Sequence, residues 1–360
     1  MFLAPGHAAT SLLFDKHFVL AIARPSDVKL LRFKSLIPSV TLLSLLLISG
    51  MTAAADKLSL LYSAQSVSYS MPWIAQDAAL FRKHDLDVKL VYIPSSGVAT
   101  AALLGGDIEI ALAGAVGIVR AFAQGAHDLV FIGGFKNELT HNIVARPEIK
   151  RPPDLKGKVI GVTRLGSNSH YFAVQALPRF GLDPARDVIF RQIGGDVAAL
   201  AALINGTIDA MVMLTYGQSA IAQGFHYVIN GRDLHIPYAA ASVTTRRSLM
   251  ARRPKVIAAY MRSLAQAAKI FHTDKEYTFR ILSKYLRIAD RRIVESSYQA
   301  EMPALEPRLD IREEAIKPVL EDVAQSDARA RNIQPQQLID RRYLEEMAKN
   351  GFLDNLWAGK

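Results

Sequence analysis

Residues 88–113 read VKLVYIPSSGVATAALLGGDIEIALA, and the fold turns on them. Val88–Ile93 is a short apolar run with strand character. Pro94-Ser95-Ser96-Gly97 breaks it, and Val98–Leu104 has helical apolar spacing that Gly105-Gly106 stops. Ile108–Ala113 is apolar again. Two strands joined by a single short helix form a βαβ unit, which requires parallel pairing and a sheet covered on both faces. The pattern extends outward in both directions. Leu58–Tyr62 is a strand, and Ile74, Ala78 and Phe81 recur after Pro72 at helical spacing, so Trp73–Lys83 is expected to be a helix. Downstream, Val116–Ala123 reads as a helix and Leu129–Phe135 as a strand.

The segment Arg146–Lys156 carries Pro147, Pro152 and Pro153, cannot be helix interior, and leads into a second block. There Lys158–Thr163, Val188–Ile193, Ile208–Leu214 and His226–Ile229 read as strands. Ser169–Phe180, Ala198–Asn205 and Gln218–Gln223 read as the helices between them. Beyond Arg252 the chain turns helical, with Val256, Tyr260, Leu264, Ala267 and Phe271 on one stripe and further amphipathic helices to Trp357. The expectation is an α/β protein of two lobes, each a mostly parallel sheet flanked by helices. Lobe 1 would hold residues 56–140 together with 240–360, and lobe 2 residues 141–239, because the C-terminal helices need a surface on which to pack.

A chain of 360 residues that is 50% hydrophobic and has no cysteine is neither disordered nor disulfide-stapled. It has no thiolate for zinc, for an iron–sulfur cluster or for nucleophilic catalysis. Its net charge of +10 is partly an effect of the N-terminus. Residues 36–55 are an apolar run preceded by Arg24, Lys29, Arg32 and Lys34 and ending in Ala53-Ala54-Ala55, the layout of a secretory signal peptide cleaved after Ala55. Pro38, Ser39, Thr41, Ser44, Ser49 and Gly50 make this run short and impure for a membrane span. The lead-in to it is long, and translation beginning nearer Val28 is an open alternative. Residues 1–55 hold five bases (Lys16, Arg24, Lys29, Arg32, Lys34) and two acids (Asp15, Asp27), leaving 38 against 31, or +7. Those charges are scattered, without the basic stripe of a nucleic-acid binder. A monomer outside the cytoplasmic membrane is expected.

Ligands of open α/β sheets bind beyond the carboxyl ends of the strands, where loops enter helix N-termini. In this chain the loops at those ends are small and polar. They are Ser63-Ala64-Gln65-Ser66-Val67-Ser68, Pro94-Ser95-Ser96-Gly97 and Gly114-Ala115 in the first block. The second block adds Arg164-Leu165-Gly166-Ser167-Asn168-Ser169-His170, Gly194-Gly195-Asp196 and Thr215-Tyr216-Gly217. Glycine lets a guest approach the backbone, and uncapped helix amides favour a polar or anionic group. One such loop is an ordinary helix cap, but a set of them in corresponding places of two lobes describes a cleft.

Asp154-Leu155-Lys156-Gly157-Lys158 ahead of a strand, followed by Gly166-Ser167-Asn168-Ser169-His170, resembles the substrate-binding proteins of nitrate, sulfonate and taurine ABC transporters, relatives of thiamine-pyrimidine-synthesis proteins. Leu104-Gly105-Gly106-Asp107-Ile108-Glu109-Ile110 and Asn205-Gly206-Thr207-Ile208-Asp209-Ala210 support the resemblance, which runs from Leu58 to Phe271. It implies a type II-like periplasmic binding fold that closes around a small anionic or aromatic solute and delivers it to a membrane permease with its ATPase. No cofactor or metal and no catalysis are implied. It places ligand contacts at Gln65, Ser66, Ser96, Gly97, Gly114, Ala115, Ser167, Asn168 and His170. Sulfonate-binding members carry an acidic Asp-Pro-Tyr-like stretch where this chain has Leu214-Thr215-Tyr216. Tyr216 matches and the acid is missing, which argues against an alkylamine such as taurine.

Some residues have two readings. Arg164 is placed to clamp a carboxylate or sulfonate in a bidentate manner, or else is simply solvated. Tyr216 stacks on a ligand ring or is structural. Trp73 fits a core position better than a pocket wall. Lys136, Glu138, His141 and Asn142 sit where the chain first crosses between lobes, and a hinge network suits them better than ligand contact. His141 and His170 lack zinc-type spacing. An enzyme of the thiamine-pyrimidine type is the alternative, disfavoured by the absence of Cys. A sensory module on the same fold is a further alternative, for which no output domain is seen in residues 56–360.

Overall fold

The computed structural model describes residues 55–214 and 217–358. Its strands are β1 (Asp56–Tyr62), β2 (Leu86–Tyr92), β3 (Ile110–Ala113), β4 (Leu129–Gly134), β5 (Glu138–Leu139) and β6 (Asn142–Ala145), followed by β7 (Val159–Val162), β8 (Ile189–Gln192), β9 (Ala210–Met213), β10 (His226–Asn230), β11 (Ile236–Pro237) and β12 (Ser242–Arg246). They form two five-stranded sheets, ordered β2-β1-β3-β12-β4 and β8-β7-β9-β6-β10, and a small β5–β11 pair. In the first sheet β1 runs parallel to β2 and β3, while β12 is antiparallel to both β3 and β4. In the second, β7 runs parallel to β8 and β9, while β6 is antiparallel to both β9 and β10. Four strands of each sheet therefore share a direction and one opposes them. The opposing strand is in each case the first to be laid down after the chain has crossed from the other sheet. The crossings are tied together by the antiparallel pairing of Leu139 with Ile236 and of Glu138 with Pro237.

Both faces of the first sheet are buried, as parallel pairing demands. Leu58, Leu60 and Tyr62 of β1 face a core built with Trp73, Ile74, Phe81 and the helix Pro254–Thr273. Leu61 faces the other way, into a second core that continues through Phe131, Leu139 and Tyr238 to Ile143 and Ile160 of the second sheet and Phe172 of the helix Asn168–Ala176. That second core also takes in Ile311, Ile316, Val319 and Leu338, so the C-terminal segment packs on the shared core as well as on the first sheet.

Two local expectations change, and one strand is added. The helix foreseen at Trp73–Lys83 is two helices, Met71–Asp77 and Leu80–Lys83, because Ala79 turns left-handed at φ 55°. The helix foreseen at Ser169–Phe180 is α-helical only over Asn168–Ala176 and tightens to 3₁₀ over Leu177–Phe180, where Pro178 removes an amide. The strand Ser242–Arg246, polar in sequence, is the buried fourth strand of the first sheet. The foreseen signal segment lies outside the described residues, apart from Ala55. Among those residues no helix is long and apolar enough to cross a membrane.

Candidate functional site

The carboxyl ends of β1, β2, β7, β8 and β9 open onto one cavity of about 410 Å³. Ser63, Ala64, Gln65, Ser68 and Tyr69 line it from the loop after β1, and Tyr92, Pro94, Ser95 and Ser96 from the end of β2. Thr163, Ser167, Asn168 and Ser169 face it from the second sheet, along with Gly195, Asp196, Val197, Ala198 and Leu214. The crossings add Lys136, His141 and Ala240. Three helices of nine or ten residues begin here: Ser96–Gly105, Asn168–Ala176 and Asp196–Ile204. Ser95 caps the first by accepting from the Val98 amide, whereas the other two have no side-chain cap. Their first-turn amides are therefore available to a guest, and the helix dipoles favour electron-rich groups.

Thr163, Ser167 and Ser169 bond mainly to one another. Thr163 Oγ1 lies 2.7 Å from Ser167 Oγ and 2.9 Å from Ser169 Oγ, and the two serine hydroxyls are 3.0 Å apart. The Thr163 amide donates to Ser169 Oγ and the Arg164 amide to Ser167 Oγ. This closed set stiffens the loop into helix Asn168–Ala176. Two other polar atoms are left over. Ser96 Oγ and His141 Nδ1 belong to residues only 4% and 8% exposed and have no hydrogen-bond partner among the described residues. A buried polar atom without a partner costs about 1–3 kcal/mol, and both atoms belong to residues of the cavity wall. Burial, reinforced by the charge of Lys136, pushes the His141 imidazole down to about 3, so it is neutral at ordinary pH.

Lys136 itself is 2% exposed. Its ammonium donates to Glu301 and to the Thr140 hydroxyl, and Thr140 donates to the second Glu301 oxygen. The pair is compensated internally and brings no net charge to the cavity. Beside it the two sheets are tied by a polar cluster. Tyr238 Oη donates to Asn168 Oδ1 at 2.7 Å and accepts from the Val116 amide at 3.0 Å. Asn168 Nδ2 and Tyr69 Oη both donate to the Ala240 carbonyl, at 3.4 and 2.8 Å. Burial raises the Tyr69 phenol to about 12, so it remains a donor.

Of the residues expected at a ligand, Gln65, Ser96, Ser167 and Asn168 line this cavity together. Ser66 lies under it, bonded to Ser68 Oγ at 3.2 Å. Gly114 packs against Asn168, and the Ala115 amide donates to Ala239, behind the wall. Gly97 and Arg164 line a separate chamber next to it. His170 accepts from the Gly166 amide through Nδ1 and sets its ring edge-on to Phe190. Tyr216 lies outside the described residues. Trp73 is wholly buried in the first core, stacked on Tyr285. His141, read from sequence as a hinge residue, presents its ring to the cavity. The apolar walls at Tyr92, Pro94, Val197, Ala198 and Leu214 were not singled out, although Tyr92 directly precedes the Pro94-Ser95 turn that marks the strand end. Among the described residues no group of acids and histidines is placed to hold a metal ion.

Solved structures of the same architecture exist. The alkanesulfonate-binding protein SsuA from Xanthomonas axonopodis pv. citri, bound to MOPS, superposes with a TM-score of 0.66 at 21% identity, covering 80% of this chain and 99% of its own. The periplasmic aliphatic sulphonate binding protein SsuA from Escherichia coli gives 0.64 at 20% identity, covering 81% and 99%. A DszB mutant in complex with biphenyl-2-sulfinic acid gives 0.61 at 14%, covering 82% and 99%. A comparison with curated proteins returns no match. The chain thus has the α/β fold of two-lobed periplasmic binding proteins, with the cavity between the lobes. Residues 69–276 match the model of the NMT1/THI5-like proteins, and the chain belongs to that family.

Proposed function

We propose that this protein is the exported solute-binding component of an ABC importer. It captures a small organic solute between its two lobes and presents it to a membrane permease driven by an ATPase. The observation that carries this reading is the inter-lobe cavity itself: about 410 Å³, walled largely by Tyr69, Tyr92, Pro94, Val197, Ala198 and Leu214, with unpartnered Ser96 Oγ and His141 Nδ1 buried in its lining. Apolar walls with a few convergent polar atoms describe a site for an organic molecule rather than a bare ion. Tyr92, whose ring stacks on Tyr62 at 5.3 Å, offers a fixed aromatic face, and an aromatic solute suits it. The bound sulfonate and sulfinate of the similar structures support an oxyanion-bearing guest. Gln65, Ser96, Ser167, Asn168 and His141 are the polar contacts in this reading, and the signal peptide is removed after Ala55.

The lining hydroxyls of Thr163, Ser167 and Ser169 bond one another, which favours capture over turnover. The test is a thermal-shift screen of the purified protein against aromatic sulfonates, aromatic carboxylates, nitrate and pyrimidines. A ligand at 100 times its dissociation constant raises stability by about 2.7 kcal/mol. Ser96→Ala and His141→Gln should each weaken the best hit while leaving the unliganded melt close to wild type. An unchanged shift in both variants refutes the site, and chemical conversion of the hit refutes the transport reading.

A further inference from the structure

Beside the main cavity, and sharing Ser95 and Ser167 with it, is a second chamber of about 220 Å³. Its walls come from both lobes: Gly97, Gly117 and Arg120 from one, Arg164, Leu165 and Gly166 from the other. Arg120 stands on helix Ala115–Ala123 and reaches the opposite loop, where a Cβ on Gly166 would lie 3.3 Å from its guanidinium. Neither Arg120 nor Arg164 enters an ion pair among the described residues. Asp322, on the helix packed against Ala115–Ala123, lies close enough to feel the charge of Arg120 but bonds Gln175 instead, at 3.4 Å. His170 also faces Arg120, and burial together with that charge lowers its proton affinity, so it adds no compensating anion.

Arg120 is half-buried and Arg164 exposed, and the two line this open chamber from opposite lobes, so an anion held between them would meet positive charge from both sides. Guanidinium is also the side chain best matched to the planar fork of an oxyanion. The main cavity, by contrast, is lined by no arginine among the described residues, and the one lysine among them, Lys136, is already paired. We propose that Arg120 and Arg164 form an oxyanion site at the edge of the cleft, which takes a carboxylate, sulfonate or phosphate group and holds the two lobes together through it. The group is either a free ion or the charged end of the solute in the main cavity; the second source rests on the function proposed above.

The experiment replaces chloride by sulfate at constant ionic strength and follows the melting temperature of the purified protein. Sulfate at ten times its dissociation constant should raise it by on the order of 3 °C. Arg120→Gln and Arg164→Gln should each weaken sulfate by about tenfold or more. Val197→Trp, a change in the wall of the main cavity at a residue that does not line the chamber, should leave the sulfate response intact. No sulfate effect up to tens of millimolar overturns the proposal, as does a response that survives both arginine changes or disappears with Val197→Trp. A second arm compares 6-phenylhexanoate with 6-phenylhexan-1-ol. A preference for the acid that Arg120→Gln abolishes assigns the site to the tail of the cleft ligand. Equal binding of the two, or binding of neither, assigns it to a free oxyanion. Because the sulfate arm needs no cleft ligand, it succeeds or fails independently of the transport reading.

Discussion

Replacing Gly114 with alanine tests how the two lobes are held together. The backbone at Gly114 is extended, with φ −85°, so alanine fits the local conformation and any cost must come from its surroundings. A Cβ there would lie 2.0 Å from Asn168 Oδ1 and 2.2 Å from Nδ2, far inside contact distance. The Asn168 amide has to leave, and with it go the 2.7 Å bond from Tyr238 and the weaker one to Ala240. Losing the bond to a buried phenol costs about 1–3 kcal/mol. If that cost falls on the closed arrangement, the affinity for a captured solute drops about 5- to 150-fold. Calorimetric titration of the best-stabilising solute measures the drop, and small-angle scattering shows whether the lobes part. In an Asn168→Ala background the new methyl meets no amide, so Gly114→Ala should then cost less than about 0.5 kcal/mol. Wild-type affinity in Gly114→Ala, or an equal penalty with and without the Asn168 amide, would refute the reasoning.

Two further outcomes follow from the buried groups beside the cavity. Lys136→Met leaves the Glu301 carboxylate buried without its partner and should destabilise by about 3–5 kcal/mol in urea unfolding, whereas Lys136→Met with Glu301→Leu should cost much less; equal losses would show that the pair is not a unit. His141 is held down to about 3 when folded, so unfolding takes up a proton anywhere between that value and the ordinary 6.5. Its contribution to stability is whole above pH 6.5 and fades as pH falls towards 3. Between pH 6.5 and 5, where carboxylates titrate little, His141→Gln should flatten the decline in melting temperature, and a slope identical to wild type would remove His141 as its source.

The arrangement of the strand ends was legible because the chain repeats one arrangement: an apolar run, then Gly, Ser or Asn, then helical spacing. That pattern locates Ser96 and Ser167 on loops at strand ends without coordinates. It does not say which wall a residue joins. Arg164 and Arg120 share a chamber only because the loop after β7 crosses above helix Ala115–Ala123, a long-range packing fact that leaves no local trace. Tyr92 and Val197 resemble ordinary core or surface residues until the facing sheet is in place. β12 leaves no strand signal in the sequence for a related reason. Its Thr244 and Thr245 are polar yet fully buried, and the Thr245 hydroxyl is satisfied by the Glu109 carbonyl across the sheet, a partner far away in sequence. The break at Ala79 and the 3₁₀ turn at Pro178 lie below what spacing resolves, although Pro178 is a visible warning.

The opposing strand in each sheet also matters while the chain is being made. β12 sits between β3 and β4, so the first sheet has an open slot at its middle until the ribosome has delivered the entire second lobe. Over that interval Ala111, Ala113, Val130 and Phe131 lack their neighbour, and the emerging half exposes unpaired backbone edges facing one another. A nascent chain of this design gains from being kept unfolded until its synthesis is complete, and truncations that stop short of Arg246 should be captured by chaperones or precipitate rather than persist as a half-sized domain.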